Sequence, residues 1–362
     1  TSRWLGLSAS AAALVALLPV IFILRPQSRS LYGDARFAKE SEIRRAKLTA
    51  QKGIIVGKHK GRYLVFGGQQ HVLMAAPTRS GKGVGMVIPN LLNWPDSAVV
   101  LDIKQENWDI TAGFRAKHGQ QCFLFNPEAR DYRTHRWNPL HYISADLHFR
   151  ITDIQTIGQM IFPDNEREAP IWQSSSRSLF LGIVLYLLDT DGLPVTLGEV
   201  LRQATSGDDT RFAAVIKERQ AGERPLSPEC VSALNDYLTT STSTRSSIRK
   251  TFTSALELWF NPVVDAATAG NDFDLRELRK QRMSVYVGIA PGSLDRLGRL
   301  LNLFFQQVIE LNTRELPERN PALKYKGLLL MDEFAALGKN HTLMKGLAYI
   351  AGYGLRDRKS VV

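Results

Sequence analysis

The sequence predicts an α/β fold in which a parallel sheet is interrupted by an all-α insertion and preceded by one transmembrane helix. Short apolar runs alternate with amphipathic segments along much of the 362 residues. Between the third and fourth of these runs, only helical patterns occur. Near the start, residues 4–24 contain no charged side chain. These observations predict the sheet, the insertion and the membrane helix, respectively.

The uncharged stretch 4–24 is long enough to cross a membrane core of ~30 Å at about 1.5 Å per helical residue. A cleaved signal peptide is the alternative, but it would have a shorter apolar region and a small-residue cleavage site. Residues 25–62 carry eight of the eleven net positive charges. We therefore predict that 25–70 is a basic linker next to the membrane, and that the chain after the helix lies in the cytoplasm.

The overall composition excludes a disordered chain and a polytopic membrane protein, because 44% of the residues are hydrophobic and 22% are charged. Cys122 and Cys230 are too few for a disulfide framework. Most of the chain is therefore expected to be a soluble body in a reducing compartment.

The predicted strands are short, apolar and bounded by turn or charged residues, at 71–75, 98–101, 121–125, 284–289 and 327–331. Helical periodicity fills 171–188, 196–204, 227–238 and 245–260, and an amphipathic helix follows at 296–312. We predict a nucleotide-binding domain formed by 71–154 and 271–356, with an all-α domain at 155–270 inserted into it. Trp94, Trp108 and Trp137 are expected in the core or an interface.

Residues 76–84 have the pattern of a phosphate loop. They follow a predicted strand and precede VGMVIPNLLNW, which can form a helix. Such a loop turns backbone N–H groups toward phosphates, while a lysine reaches the β and γ oxygens. The predicted phosphate-binding residues are Ala76, Pro77, Thr78, Arg79, Ser80, Gly81, Lys82, Gly83 and Val84, and Lys82 is also a predicted catalytic residue.

This loop departs from the usual pattern at two positions. Ala76 stands where glycine is expected, and Gly83 stands where a hydroxyl residue usually ligates magnesium. A glycine-rich turn with a solvated lysine is therefore the alternative. The order strand, loop and helix favours nucleotide binding.

Two adjacent carboxylates end the apolar run 327–331. We predict that Asp332 holds magnesium through a water molecule, and that Glu333 is the catalytic base for the water that attacks the γ-phosphate. A second acidic strand end occurs at Asp102. This residue could support magnesium, orient the phosphate loop or simply cap a helix, while Lys104 and Glu106 could face a neighbouring subunit.

Several motifs together resemble the coupling proteins of type IV secretion and bacterial conjugation, the TraG/TraD family. They are LYGDARFA, GIIVGK, APTRSGKGVGMVIPNLL, VVLDIKQENWDITAGFR, FNP, WNPL, LLLMDEFAALGK and IAGYG. The resemblance implies a RecA/FtsK-like, P-loop ATPase that uses ATP and Mg²⁺, forms a homo-hexamer and is anchored in the bacterial inner membrane. It further implies delivery of relaxase-bound single-stranded DNA, or of secreted effector proteins, to the components of a type IV secretion channel.

The resemblance also implies that this sequence is truncated at both ends, because the family has two N-terminal membrane helices and a further strand with a glutamine sensor after IAGYG. We expect residues 357–362 to be a non-native tail, since a common sequencing adapter encodes DRKSVV, and the sheet to end with the strand 327–331. Arg79 and Arg356 are candidate arginine fingers. An FtsK-type DNA pump and a non-hydrolysing docking scaffold are the alternative functions.

Overall fold

The computed structural model describes residues 36–77, 79–164, 169–208, 210–332 and 349–361. The chain divides into two compact units, residues 1–48 and residues 49–362. The first contains the helix α1 (Glu40–Arg45), next to which Arg36 pairs with Glu42 at 2.6 Å. The membrane helix expected at 4–24 lies outside the described residues. Among the helices that are described, none is both long and apolar enough to cross a bilayer.

A six-stranded, all-parallel sheet organises the second unit, in the spatial order β3-β8-β7-β4-β6-β5. Its strands are β3 (Val72–Ala75), β4 (Ser97–Ile103), β5 (Gln121–Phe125), β6 (Met283–Ile289), β7 (Gly327–Met331) and β8 (Leu355–Val361). The five strands predicted from apolar runs are confirmed. The central strands β4, β6 and β7 are buried on both faces, as in other parallel sheets, whereas Leu73 of the outer strand β3 is 66% exposed.

The expectation that the sheet ends at β7 is wrong, because β8 lies between β3 and β7 and pairs with both. The sequence of β8 begins LRDRKS and lacks the apolar run by which the other strands are recognised. The amphipathic helix predicted at 296–312 is confirmed. It forms part of α11 (Leu294–Asn312), in which Leu297, Phe304 and Val308 are all buried.

The two faces of the sheet pack against different partners, as β4 shows. Ala98 and Val100 belong to one apolar cluster, and Val99 and Leu101 belong to another. The first cluster lies under α2 (Ile88–Asn93) and α3 (Glu106–Lys117), and the second contains α11 and the helices that precede β6. This alternation follows from the twofold side-chain period of a strand.

Between β5 and β6, the described residues contain helices and no strand. They are α4 (Leu147–Ile161), α5 (Pro170–Leu188), α6 (Leu197–Thr205), α7 (Arg211–Ala221), α8 (Pro228–Leu238), α9 (Thr242–Ala255) and α10 (Pro262–Ala267), with short 3₁₀ turns at Pro139–Tyr142, Glu257–Phe260 and Leu275–Glu277. Ser241 caps α9 by accepting a bond from the Thr244 N–H, so the polar run before this helix acts as a cap. The exact limits of the insertion stay a prediction.

Part of the predicted linker 25–70 is folded. The strands β1 (Ile54–His59) and β2 (Arg62–Phe66) form an antiparallel hairpin, in which Ile54 and Ile55 are buried. Ile54 packs in the same apolar cluster as Leu91 of α2. Lys58, Lys60 and Arg62 are exposed around the turn of the hairpin, whereas its buried start is a feature that the charge count did not reveal.

Candidate nucleotide-binding site

The phosphate-loop residues leave the carboxyl end of β3 and lead into a continuous helical segment. This segment starts at Lys82, continues as a π-helical turn (Gly83–Val87) and becomes α2. Arg79 and Gly81 have left-handed backbone conformations, with φ of 62° and 83°. At Gly81 the backbone angle is what favours glycine, because a Cβ atom there would have no neighbour within 4 Å.

The first N–H groups of a helix lack partners within the helix and carry its positive dipole end. Lys82 stands at that position and is partly exposed. Ser80 N–H donates to the Pro77 carbonyl at 3.3 Å, which closes the turn before it. The described loop residues therefore place a turn, a helix start and a lysine at the end of one strand, which are the features expected of a phosphate loop.

Buried polar contacts fix the helix behind this loop. Asn90 is 1% exposed, and its side chain bonds both backbone groups of Ile55 in the hairpin, at 2.8 and 2.9 Å, and the Met86 carbonyl at 2.7 Å. The guanidinium of Arg115, 1% exposed, donates to the carbonyls of Leu91, Trp94 and Asp96 at the end of α2. Asn90 thus joins this helix to the hairpin, and Arg115 binds the C-terminal end of the helix.

Asp102 and Asp332 lie at the same edge of the sheet, the one formed by the carboxyl ends of the strands. Leu101 pairs with Met331, so the next residue on each strand is one of the two carboxylates. Asp102 is fully buried and accepts three bonds from the start of α3: from the Asn107 N–H at 3.2 Å, from Asn107 Nδ2 at 2.9 Å and from the Trp108 N–H at 2.7 Å. Of the alternatives for Asp102, the structure shows helix capping.

Burial raises the pKa of Asp102 from 3.8 to about 6, and the nearby charge of Asp332 adds to this effect, while the N–H donors of Trp108 and Asn107 oppose it. The turn that follows is unusual, because Lys104 and Gln105 both have positive φ, of 82° and 64°. Non-glycine residues in this region cost about 1 to 3 kcal/mol each. Lys104 and Glu106 are exposed beside it.

The structure brings together Asp102 and Asp332 but places β8 between the phosphate-loop strand and the Asp332 strand. Thr78 and Glu333 lie outside the described residues.

The prediction that Arg356 is an arginine finger is wrong. Arg356 is 6% exposed, its guanidinium lies 5.6 Å from the centre of the Trp94 ring, and it donates to the Gly67 carbonyl at 3.3 Å. A buried arginine bound within its own chain cannot extend into another site. Arg79 is exposed.

Trp94 and Trp137 are buried, which confirms them as core residues, whereas Trp108 is partly buried and packs edge-on against Tyr286. Sequence reasoning missed Asn90 and Arg115. Asn90 gave a weak signal as a polar residue inside the apolar segment VIPNLLNW, whereas an arginine at the end of a helix is usually exposed and gave none. Their partners are distant in sequence, however, and only the fold identifies them.

The parallel α/β sheet has a glycine-containing turn and a helix start at the carboxyl end of an outer strand, and an aspartate at the end of an inner strand. This arrangement is a P-loop-type α/β fold. The chain belongs to the family of the type IV secretory system described as conjugative DNA transfer, whose model matches residues 36–357. This confirms the resemblance to coupling proteins that the motifs indicated.

Curated relatives agree with this assignment. The chain is 33% identical over 361 residues to protein VirD4 of Rhizobium rhizogenes, covering 96% of this chain and 52% of that protein. It is 31% identical over 361 residues to the conjugal transfer protein TraG of Escherichia coli, covering 90% of this chain and 56% of that protein. The chain thus spans about half the length of these relatives.

Solved structures share the fold. The unbound bacterial conjugative coupling protein TrwBdeltaN70 superposes with a TM-score of 0.67 at 18% identity, over 92% of this chain and 74% of that one. The plasmid coupling protein TrwB in complex with ADP and Mg²⁺ gives a TM-score of 0.65 at 17% identity, over 90% and 71% of the two chains. At these identities the likeness shows the fold alone.

Proposed function

We propose that this protein is the ATPase of a type IV secretion system that couples ATP hydrolysis to the delivery of substrates into the secretion channel. One observation carries the proposal: a phosphate loop with Lys82 at its helix start shares a sheet edge with Asp332, in a chain of the conjugative DNA transfer family. Nucleotide-bound structures of TrwB, which has the same fold, support the nature of the ligand.

In this proposal, loop residues 76–84 hold the phosphates of ATP. Their backbone N–H groups and the Lys82 ammonium neutralise the charge that builds up on the γ-phosphoryl group. Asp332 would hold Mg²⁺ through water, because it is the aspartate at the end of its strand. The aspartate at the end of the neighbouring strand, Asp102, is already engaged as a helix cap. When bound, the metal would supply positive charge to the phosphates of ATP. Glu333 would accept the proton of the attacking water.

Membership of the conjugative DNA transfer family supports a set of partners. We propose relaxase-bound single-stranded DNA and secreted effector proteins as the transported substrates, and components of the type IV secretion channel as the receivers. We further propose a homo-hexamer, anchored in the bacterial inner membrane through residues 4–24, with most of the chain in the cytoplasm. The basic segment after residue 24 would then lie against anionic lipid headgroups.

The test measures phosphate release from ATP by the protein purified from its host, with and without single-stranded DNA. We expect DNA to stimulate release, Lys82→Ala to abolish it, and Glu333→Gln to slow it about a hundredfold or more while ATP stays bound. Glu218→Gln, which removes an exposed carboxylate in the insertion, is the matched control and should behave as wild type.

Two results would contradict the proposal. ATP binding by wild type without any hydrolysis, with or without DNA, would favour a docking scaffold. Equal turnover in wild type and Lys82→Ala would place nucleotide chemistry elsewhere. If Glu333→Gln loses ATP affinity instead of turnover, Glu333 is structural.

A further inference from the structure

A cavity of about 750 Å³ lies outside the carboxyl ends of β4, β5 and β6. It is bounded by Gln105 after β4, by the loop 126–132 after β5, by Ala290 and Ser293 after β6, and by Asn261 and Val263 at the start of α10. The phosphate loop follows β3, which β8 and β7 separate from β4. The cavity is therefore distinct from the nucleotide site.

The topology of the sheet makes this position a crevice. The chain leaves β4 toward the face that contains Ala112 of α3, and leaves β6 toward the opposite face, which contains Leu297 and Leu300 of α11. Because adjacent strands β4 and β6 send their connections to opposite faces, a gap opens between their carboxyl ends. Open α/β sheets bind ligands at such switch points.

The lining shows which ligand chemistry fits. Arg130 is exposed and forms no hydrogen bond or ion pair with the described part of the chain, whereas Arg296 pairs with Glu128. The two arginines of the lining are matched by two carboxylates, those of Glu128 and Asp131, so the net charge of the lining is zero. The interior therefore does not suit a bare anion. Glu128 Oε2 is buried without a hydrogen-bond partner, and Asn126 and Asn261 add amide groups. A planar polar group with hydrogen-bond donors matches this interior.

The side chain of Tyr132 lies at the cavity. Tyr132 is 76% exposed and held at φ 60°, in a loop whose base is closed by the His135 N–H donating to the Leu124 carbonyl at 2.7 Å and the Asn126 N–H donating to Thr134 Oγ1 at 2.8 Å. The loop thus presents the phenol ring outward from a fixed base. Exposed aromatic rings next to arginines are the groups on which single-stranded nucleic acids stack.

We propose that this cavity binds one nucleotide unit of single-stranded DNA, with the base in the cavity against Tyr132 and the phosphate at the rim near Arg130. The identity of the ligand as DNA rests on the proposed function. Residues 261–263 belong to the helical insertion, so DNA in the cavity would contact both the insertion and the strand ends of the sheet. Such a contact provides a physical route by which DNA could influence hydrolysis.

The experiment measures fluorescence anisotropy of a fluorescein-labelled oligo(dC) strand with the full chain, without nucleotide, over a series of salt concentrations. We expect Tyr132→Ala to weaken binding about tenfold or more and Tyr132→Phe to stay within about twofold of wild type, because the ring is kept. Arg130→Ala should reduce the slope of log affinity against log salt by about 0.7, the loss of one phosphate contact. Tyr63→Ala, which removes an exposed tyrosine from the hairpin, is the control.

A second measurement does not depend on the variants folding. Photo-crosslinking of wild type to a strand carrying 5-iodouracil should attach DNA to peptides that contain Tyr132 or Asn261. Crosslinks confined to other regions, or unchanged affinity in Tyr132→Ala and Arg130→Ala, would overturn the assignment. The assignment would also be overturned if Tyr132→Ala weakened the binding of a peptide substrate but not the binding of DNA.

These outcomes are separable from the proposed function. If wild type hydrolyses ATP and the cavity variants bind DNA normally, the cavity assignment fails and the ATPase stands. If wild type binds no ATP, but Tyr132→Ala binds DNA more weakly than wild type does, the ATPase proposal fails and the cavity assignment stands.

Discussion

At the scale of single residues, Asp102 shows how a carboxylate at a strand end can serve structure instead of metal binding. Its position after the apolar run 98–101 is the same as that of Asp332 after 327–331, and the sequence could not separate their roles. The difference arises in the turn of Lys104 and Gln105, which brings the first N–H groups of α3 onto the Asp102 oxygen atoms. Backbone angles of this kind leave no pattern in the sequence.

Replacing Asp102 with Asn should change how stability depends on pH. The pKa of Asp102 is raised from 3.8 to about 6, so the folded protein binds this proton more tightly than the unfolded chain does. The stability that this proton contributes is complete below about pH 4, is lost as pH rises to about 6, and amounts to about 3 kcal/mol. Asp102→Asn should remove this decline, as measured by chemical unfolding from pH 4 to pH 7 without nucleotide or magnesium.

Asp109→Asn is the control, because it alters an exposed carboxylate on the same helix. The account of Asp102 is wrong if the Asn variant keeps the wild-type decline, or if stability of wild type rises through this pH window because of Asp102.

At the scale of elements, the phosphate-loop helix is positioned by its neighbours. The sequence predicts that VGMVIPNLLNW is helical, and this is confirmed for Gly83–Val87 and Ile88–Asn93. It does not predict that the helix is bound to a hairpin in the supposed linker, because the bond joins residues 35 positions apart. Local periodicity therefore finds the element, while its attachment depends on the tertiary fold.

Asn90→Ala should detach the hairpin from this helix. The change leaves the N–H and the carbonyl of Ile55 buried without the partners they have in the structure, at a cost of about 2 to 4 kcal/mol. Hydrogen exchange should show faster exchange in residues 54–66, together with a lower unfolding temperature. Asn93→Ala, on the exposed side of the same helix, should change neither. Unaltered exchange of the hairpin in Asn90→Ala would contradict this role.

At the scale of the whole molecule, the strand order depends on β8. It connects β3, which carries the phosphate loop, to β7, which ends before Asp332. The sequence predicts the five apolar strands but not β8, whose polar residues give no strand signal. The candidate site was predicted from the two strand-end motifs, whereas their separation by one strand follows only from the pairing of the sheet.

Arg358→Pro should disrupt the sheet in this chain. Residue 358 pairs with Val72 on one side and Leu330 on the other, and proline removes the ladder donor from a strand with neighbours on both sides. We expect a loss of about 3 kcal/mol or more, seen as a lower thermal unfolding midpoint. Arg358→Ala keeps the backbone donor and is the matched control. Equal midpoints for the two variants would show that β8 does not hold the sheet together.

The central claim is that residues 76–84 bind the phosphates of a nucleotide, and the most direct measurement is the affinity of a fluorescent ATP analogue for wild type and Lys82→Ala. Loss of a charge-assisted contact to phosphate should weaken binding about 10- to 100-fold. Lys58→Ala, in the hairpin, should bind as wild type does. Equal affinity of wild type and Lys82→Ala, or no binding by wild type, would contradict the claim.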